Sequence, residues 1–146
     1  MQWGDLVNPK QNEEAMFCAL GSLLTEGEAI EAAVFCVYKP TGFWANSRDI
    51  RSGYAGITDR DRLIGFKMGL LDQSSFAVEM KRLKKIKISK RLFGQKEIDL
   101  VFLNEKKFEV KFQTALKIYG NQFPNQESNL QILLERLEEK QAALPN

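Results

Sequence analysis

Histidine is absent from this chain of 146 residues, and cysteine and tryptophan occur only twice each. The lack of histidine removes the usual general base, the commonest zinc ligand and the middle residue of a Ser-His or Cys-His relay. Cys18 and Cys36 each lie in an apolar stretch, where a thiol behaves as a small hydrophobic group. We therefore expect two buried free thiols, no metal site and no cofactor.

Long apolar runs and a surplus of charge are also missing. No stretch reaches the roughly 18 apolar residues that span a bilayer, and the N-terminus lacks a basic start followed by an apolar run. These patterns predict a cytoplasmic protein and leave open peripheral contact with the inner face of the membrane. The 21 Lys and Arg residues against 19 Asp and Glu residues give a net charge of +2, so nucleic acid is not expected as a partner.

Groups for catalysis are scarce as well. Asp59 and Asp61 are close in sequence, but they alternate with arginines in a polar turn, where surface ion pairing is the simpler interpretation. Segment 53–56 contains two glycines, but no Gly-Lys-Ser/Thr follows it, so it is not a phosphate loop. The sequence thus predicts a protein that is not an enzyme, with no catalytic residues and no identifiable small-molecule substrate.

Hydrophobic periodicity predicts two helices and about seven short strands. Helical spacing marks segments of about 9–24 and 125–141. Strand patterns occupy 30–38, 52–58, 62–67, 76–89, 98–103 and 108–112, with polar turns at 59–61 and 104–107. Segment 76–89 changes register midway and fits either two strands or one bent strand. Segment 114–125 fits either an extended strand or a short helix.

This order of elements predicts a mainly β (α+β) fold, an antiparallel barrel or sandwich with an amphipathic C-terminal helix and an added N-terminal helix. The length suits one domain over residues 1–146. Within it we expect the N-terminal helix at about 9–24, the barrel at about 28–113 and the C-terminal helix at about 125–141.

Two segments sharpen this expectation. Segment 56–64, Gly-Ile-Thr-Asp-Arg-Asp-Arg-Leu-Ile, resembles a strand-turn-strand region of bacterial pleckstrin-homology-like (PH-like) domains. Segment 76–86, Phe-Ala-Val-Glu-Met-Lys-Arg-Leu-Lys-Lys-Ile, is similar to their fourth strand and the isoleucine after it. The resemblance covers about residues 20–140 and implies a PH-like barrel that binds or assembles.

Eukaryotic relatives that bind phosphoinositides use a lysine, a variable loop and then two basic residues separated by one. Here Lys39 precedes the loop, and Arg48 and Arg51 follow it with two residues between them, one an aspartate. Because the spacing departs from that pattern, the resemblance does not imply specific recognition of inositol phosphates.

A run of cations between positions 81 and 91 is the most distinctive charge feature, with seven cations in eleven positions and no anion. Its members, called here the basic stripe, are Lys81, Arg82, Lys84, Lys85, Lys87, Lys90 and Arg91. Strand geometry places Lys85 and Lys87 on one solvated face, opposite Ile86 and Ile88. The stripe is interpreted either as an ordinary outer face that discourages edge pairing or as a binding surface for anionic lipid. Nucleic acid would need a further groove of phosphate contacts.

The pair Phe43-Trp44 lies in a predicted loop after Pro40 and is a candidate interaction loop. It either contacts a membrane or protein partner, or folds back over the open end of the barrel. Two functional hypotheses follow. The first is a non-catalytic binding or scaffolding module that contacts anionic surfaces through the basic stripe. The second is a homo-oligomerising protein-interaction domain without lipid binding, paired through a sheet edge or an end helix.

Overall fold

A computed structural model describes residues 11–41, 50–68, 73–115 and 121–145. Its strands are β1 (Ile30–Tyr38), β2 (Arg51–Thr58), β3 (Arg62–Met68), β4 (Gln73–Glu79), β5 (Leu83–Lys90), β6 (Lys96–Asn104) and β7 (Lys106–Thr114), and its helices are α1 (Glu13–Gly21) and α2 (Gln126–Ala143). The strands are hydrogen-bonded in the order β4-β3-β2-β1-β7-β6-β5, and each neighbouring pair is antiparallel. The predicted mainly β fold with a helix at each end is confirmed.

The strand β1 joins the two halves of this order and is buried on both of its faces. Every residue from 32 to 38 is buried, which explains the continuous apolar run in the sequence. One face, with Val34 and Cys36, joins the barrel core and packs with the leucines of α2. The other face, with Phe35, packs against Met16 and Leu20 of α1. Helix α1 therefore covers the outer face of β1, β2 and β3, while α2 closes the barrel.

Helix α1 is shorter at both ends than the predicted 9–24. The side chain of Asn12 accepts a hydrogen bond from the Ala15 N–H at 2.8 Å and caps the helix, and two glutamates in its first turn suit the positive end of the helix dipole. Met16 and Leu20, four residues apart, are buried, in agreement with the helical periodicity predicted for this segment. Cys18 is exposed on this helix, so the prediction that it is buried was wrong, whereas Cys36 is buried and both thiols are free.

The turns set the directions of the strands. Segment 76–89 forms two strands, β4 and β5, separated by a turn of 3-10 helix at Met80–Arg82. The β2–β3 turn holds Asp61 at a φ of 58°, and the tighter β6–β7 turn holds Glu105 at a φ of 60°. The interpretation of Asp59 and Asp61 as partners of the adjacent arginines was wrong. Asp59 accepts the Ala29 N–H at 2.9 Å, and Asp61 pairs with two cations of α2.

Neither α1 nor α2, the helices of the described residues, is long and apolar enough to cross a membrane.

Candidate anion-binding surface

Three cations converge at the end of the barrel that lies away from the β2–β3 turn and α2. Lys39 follows β1, Arg51 begins β2, and Lys67 lies near the end of β3. Because neighbouring strands are antiparallel, the end of one lies beside the start of the next, which brings the three side chains together. They surround a hollow of about 270 Å³, called here the mouth, whose other lining residues are Tyr38, Pro40, Thr41 and Ser74.

Lys67 points into the barrel. Its Nζ lies 5.1 Å from the centre of the Tyr38 ring and 5.7 Å from that of Phe76, so both rings offer it cation–π contacts. Among the described residues no carboxylate forms an ion pair with it. Burial, followed by the charge of Arg51, lowers the pKa of Lys67. The mouth therefore holds a half-buried ammonium group beside a second cation.

Two rings form the floor beneath Lys67. The Tyr38 hydroxyl donates to the Tyr54 carbonyl at 2.6 Å, and the rings of Tyr38 and Phe76 meet edge to face with centroids 5.9 Å apart. Gly65 leaves room for both rings. A Cβ on Gly65 would lie 2.5 Å from the Tyr38 hydroxyl oxygen and inside van der Waals contact with Phe76. Gly65 therefore allows the Tyr38 and Phe76 rings to approach the backbone of β3, where they lie beneath the Lys67 ammonium group.

Glu97 neutralises part of the rim of the mouth. Its carboxylate is 6% exposed and lies 3.2 Å from Lys39, 2.7 Å from Arg91 and 3.4 Å from Lys111. Burial alone would raise its pKa, but the hydrogen bonds from Arg91 and Lys39 outweigh burial and lower the pKa to about 2. Lys39 and Arg91 thus share one carboxylate, which joins the mouth to the end of the basic stripe.

The basic stripe is divided by the structure. Lys81 pairs with Glu79 at 3.0 Å, and Arg91 pairs with Glu97. Lys85 and Lys87 are exposed on the face opposite Ile86 and Ile88, as predicted. The members that form no ion pair within the described residues are Arg82, Lys84, Lys85, Lys87 and Lys90.

A second hollow lies on the outer face of the β5–β6–β7 sheet. Its charged lining residues carry both signs and are Lys85, Lys87, Asp99, Glu109 and Lys111. Burial raises the pKa of Asp99, whose Oδ1 is buried without a hydrogen-bond partner within the described residues. Pro40 and Thr41 line both hollows, so the mouth and the exposed face of the stripe are continuous.

Comparisons with known proteins bear on the fold. No family model matches the chain, and no curated protein matches it. A solved structure, the hSac2 domain from human phosphoinositide phosphatase Sac2, is similar with a TM-score of 0.54 and 13% identity, over 91% of this chain and 82% of that chain. The chain has a PH-like fold. At this identity the likeness shows the fold alone.

Sequence reasoning missed Lys67, the cation of the PH-like barrel mouth that lies over the Tyr38 and Phe76 rings. It singled out Lys39 and Arg51 by their places around the loop, but it did not single out Lys67. A signal was present, because alternation along β3 places Lys67 on the same face as Leu63 and Gly65, which face the barrel interior. Phe43 and Trp44 lie outside the described residues, so their role as an interaction loop stays a prediction.

Proposed function

We propose that the chain is a non-catalytic binding module whose PH-like barrel docks on an anionic membrane surface, with a lipid phosphate entering the mouth. The observation that carries this proposal is the half-buried ammonium group of Lys67, which lies beside Arg51. Lys67 forms no ion pair with a carboxylate within the described residues. Burying an unpaired charge costs stability, and a bound anion would offset that cost. Phosphate oxygens suit lysine and arginine donors, the latter as bidentate partners.

The remaining cations support a membrane rather than an isolated anion as the target. Lys85 and Lys87, two unpaired members of the basic stripe, line the hollow that shares Pro40 and Thr41 with the mouth. Each lysine or arginine near an anionic membrane surface contributes about 1 kcal/mol of attraction, which salt weakens. The stripe then supplies general attraction, and the mouth supplies a specific contact.

The comparisons and the sequence support the choice of ligand class and setting. The similar hSac2 domain comes from a protein named as a phosphoinositide phosphatase, so phosphorylated lipids are the first ligands to test. The similarity of segment 56–64 to bacterial PH-like domains supports membership of that family. In that setting the inner face of the cytoplasmic membrane is the anionic surface, and the protein binds it peripherally.

Co-sedimentation with neutral and anionic vesicles across a salt series tests this proposal. Lys67→Met keeps an unbranched side chain over the two rings and removes the charge, and we expect about tenfold weaker binding to anionic vesicles, equivalent to about 1.4 kcal/mol. Lys106→Met is the matched control, because exposed Lys106 lines neither the mouth nor the second hollow. The double change Lys85→Glu and Lys87→Glu should reduce binding most strongly at low salt.

Two outcomes would contradict the proposal. Absence of binding to anionic vesicles at low salt would exclude the membrane target. Equal binding by the Lys67→Met and Lys106→Met variants would exclude the mouth as the specific contact.

A second candidate function, homo-oligomerisation, is favoured by the contrast between the two edge strands. The edge strand β4 carries no charged residue from Gln73 to Val78, whereas the edge strand β5 carries four lysines. Charged side chains protect edge strands from pairing, so β4 is the unprotected edge. Sedimentation velocity at high micromolar concentration should show a dimer that Ala77→Lys, at an exposed position in β4, dissociates. A monomer at that concentration would contradict this function.

A further inference from the structure

Leu92 is the most exposed large apolar side chain of the described residues, with 78% of its surface accessible. It lies at the tip of the β5–β6 hairpin, in a turn of 3-10 helix at Leu92–Gly94. Single exposed apolar residues are common and need no explanation by themselves. Leu92 differs from such residues in the cations that flank it and in its position beside the mouth.

Cations flank the Leu92 tip on both strands. Lys90, at the end of β5, and Lys96, at the start of β6, lie directly opposite each other in the antiparallel ladder. Like charges at directly opposed positions destabilise a strand pair. Neither lysine forms an ion pair with a carboxylate in the part of the chain that the structure describes. This arrangement is unfavourable in water alone and becomes favourable beside a negatively charged surface.

The backbone of the turn is fixed. The Arg91 N–H donates to the Gln95 carbonyl at 2.8 Å, and the Gln95 N–H donates to the Leu92 carbonyl at 3.3 Å. Gly94 has a φ of 75°, which glycine adopts without strain. Because the turn is already ordered, contact through Leu92 would require little further loss of conformational entropy.

The tip lies beside the mouth. Arg91, which directly precedes Leu92, and Lys39, which lines the mouth, bind the same oxygen of Glu97. Leu103, the next most exposed large apolar residue of the described chain, lies on the same strand pair but at the other end of β6. Lys96 and Leu103 are seven residues apart in β6, which is about 23 Å at roughly 3.3 Å per residue.

We propose that Leu92 inserts into the interfacial layer of an anionic bilayer while Lys90 and Lys96 contact lipid phosphates around it. The inference rests on the proposed function, because it takes the surface that the mouth contacts to be a bilayer. Insertion of one apolar tip beside a phosphate contact gives the barrel two points of attachment. It fixes the orientation of the mouth towards the headgroups and adds binding energy that does not depend on salt.

A labelled variant tests the insertion directly. The exposed thiol is first removed by Cys18→Ser, while Cys36 stays buried and unreactive. Leu92→Cys, labelled with an environment-sensitive fluorophore, should shift its emission to the blue with vesicles of phosphatidylcholine and phosphatidylserine, and brominated lipids should quench it. Leu103→Cys, labelled in the same way, is the matched control and should show neither change.

Unlabelled variants give an independent measure. Leu92→Ser should weaken sedimentation with anionic vesicles about fivefold, with the slope of affinity against salt unchanged, because no charge is removed. Leu103→Ser should bind as the unaltered chain does. Both positions are exposed, so thermal unfolding should be unchanged in either variant.

The outcomes separate this inference from the proposed function. Salt-dependent vesicle binding without an emission shift at position 92, and without a loss in Leu92→Ser, would overturn the insertion and leave the mouth contact standing. Vesicle binding that is lost in Lys67→Met but retained in Leu92→Ser would likewise overturn the insertion and support the mouth contact. Failure of the unaltered chain to bind anionic vesicles would overturn both.

Discussion

Gln126 pairs with Phe35 in the way that one β-strand pairs with the next. Its side-chain oxygen accepts the Phe35 N–H at 3.0 Å, and its side-chain nitrogen donates to the Phe35 carbonyl at 3.0 Å. The backbone of β7 pairs with β1 only at Val37 and Tyr38, and at Phe35 β7 contributes the Thr114 hydroxyl, which donates to the Phe35 carbonyl at 2.8 Å. The first residue of α2 therefore satisfies backbone groups of β1 just beyond the point where the β1–β7 backbone ladder ends.

Removal of the Gln126 side-chain amide should lower the free energy of unfolding more than removal of the amide of an exposed glutamine on the same helix. Gln126→Ala removes two hydrogen bonds from the buried Phe35 backbone, whose carbonyl keeps the Thr114 hydroxyl as a donor at 2.8 Å, and we expect a loss of about 1–3 kcal/mol in the free energy of unfolding. Urea denaturation measures this loss. Gln131→Ala, at an exposed position of α2, is the control and should change stability by less than about 0.5 kcal/mol. Similar losses in the two variants would contradict the strand-like role.

The ion pair between Glu28 and Arg62 should behave as a buried pair. The Glu28 side chain is fully buried and lies 2.5 Å from the Arg62 guanidinium. Hydrogen bonding from Arg62 is the main cause that lowers the pKa of Glu28 far below its usual range. Arg62→Met leaves the carboxylate buried without its cation, so we expect a loss of about 3–5 kcal/mol.

The double variant separates the pair from its parts. When Glu28→Met is combined with Arg62→Met, no buried charge remains at this site, and the double variant should be more stable than Arg62→Met alone in guanidinium denaturation. A double variant that is less stable than either single variant would contradict this prediction. It would show that each of the two side chains stabilises the fold in some way other than by neutralising the charge of the other.

The strands were predictable because their signals are local. The apolar run of β1 reflects burial on both faces, and the turn residues between β2 and β3 predict a hairpin. Thr58 stabilises this hairpin, since its hydroxyl oxygen accepts the backbone N–H groups of residues 60 and 62 and its hydroxyl donates to Glu28 at 2.6 Å. Alternation along β5 likewise predicted which face carries Lys85 and Lys87.

The partners of charged groups were not predictable because they come from distant parts of the chain. Asp61 pairs with Arg136 and Lys140, more than seventy residues away, instead of the adjacent arginines. Arg91 is in sequence part of a run of cations without an anion, but the pairing of β5 with β6 brings it within 2.7 Å of Glu97. Lys67 is isolated in sequence, and the pairing of β2 with β3, which places Lys67 opposite Gly53, brings it beside Arg51.

Stability in acid should depend on Glu97. Its folded pKa of about 2 lies below the ordinary value of 4.5, so its contribution is complete above pH of about 4.5 and is lost as pH falls towards 2. Glu97→Gln should therefore lose less stability between pH 7 and pH 3 than the unaltered chain does, measured by urea denaturation at both values. An identical loss in the two proteins would show that Glu97 does not contribute to the pH dependence.

The same substitution has an opposite expected effect on binding. Glu97→Gln removes the carboxylate that Lys39 and Arg91 share and leaves two cations at the rim of the mouth without it. We expect severalfold tighter binding to anionic vesicles at low salt, with a steeper dependence on salt. Weaker binding would show that Glu97 positions these cations more than it neutralises them.

The ring floor of the mouth should be sensitive to a single methyl group. Gly65→Ala places a Cβ against Phe76 and the Tyr38 hydroxyl, so one or both rings must move. We expect a loss of about 1–3 kcal/mol in stability, as for other overpacked sites. Because the rings hold Lys67, binding to anionic vesicles should also fall under conditions where the variant remains folded, as checked by circular dichroism.

Gly21→Ala is the matched control for Gly65→Ala. A Cβ at Gly21, the last residue of α1, meets no atom within 4 Å, and alanine is the better helix former. This variant should be as stable as the unaltered chain or slightly more stable, and it should bind vesicles equally well. If Gly65→Ala instead kept full vesicle binding despite its lower stability, the position of the rings would not determine how Lys67 meets the anion, and the mouth would act through its net charge alone.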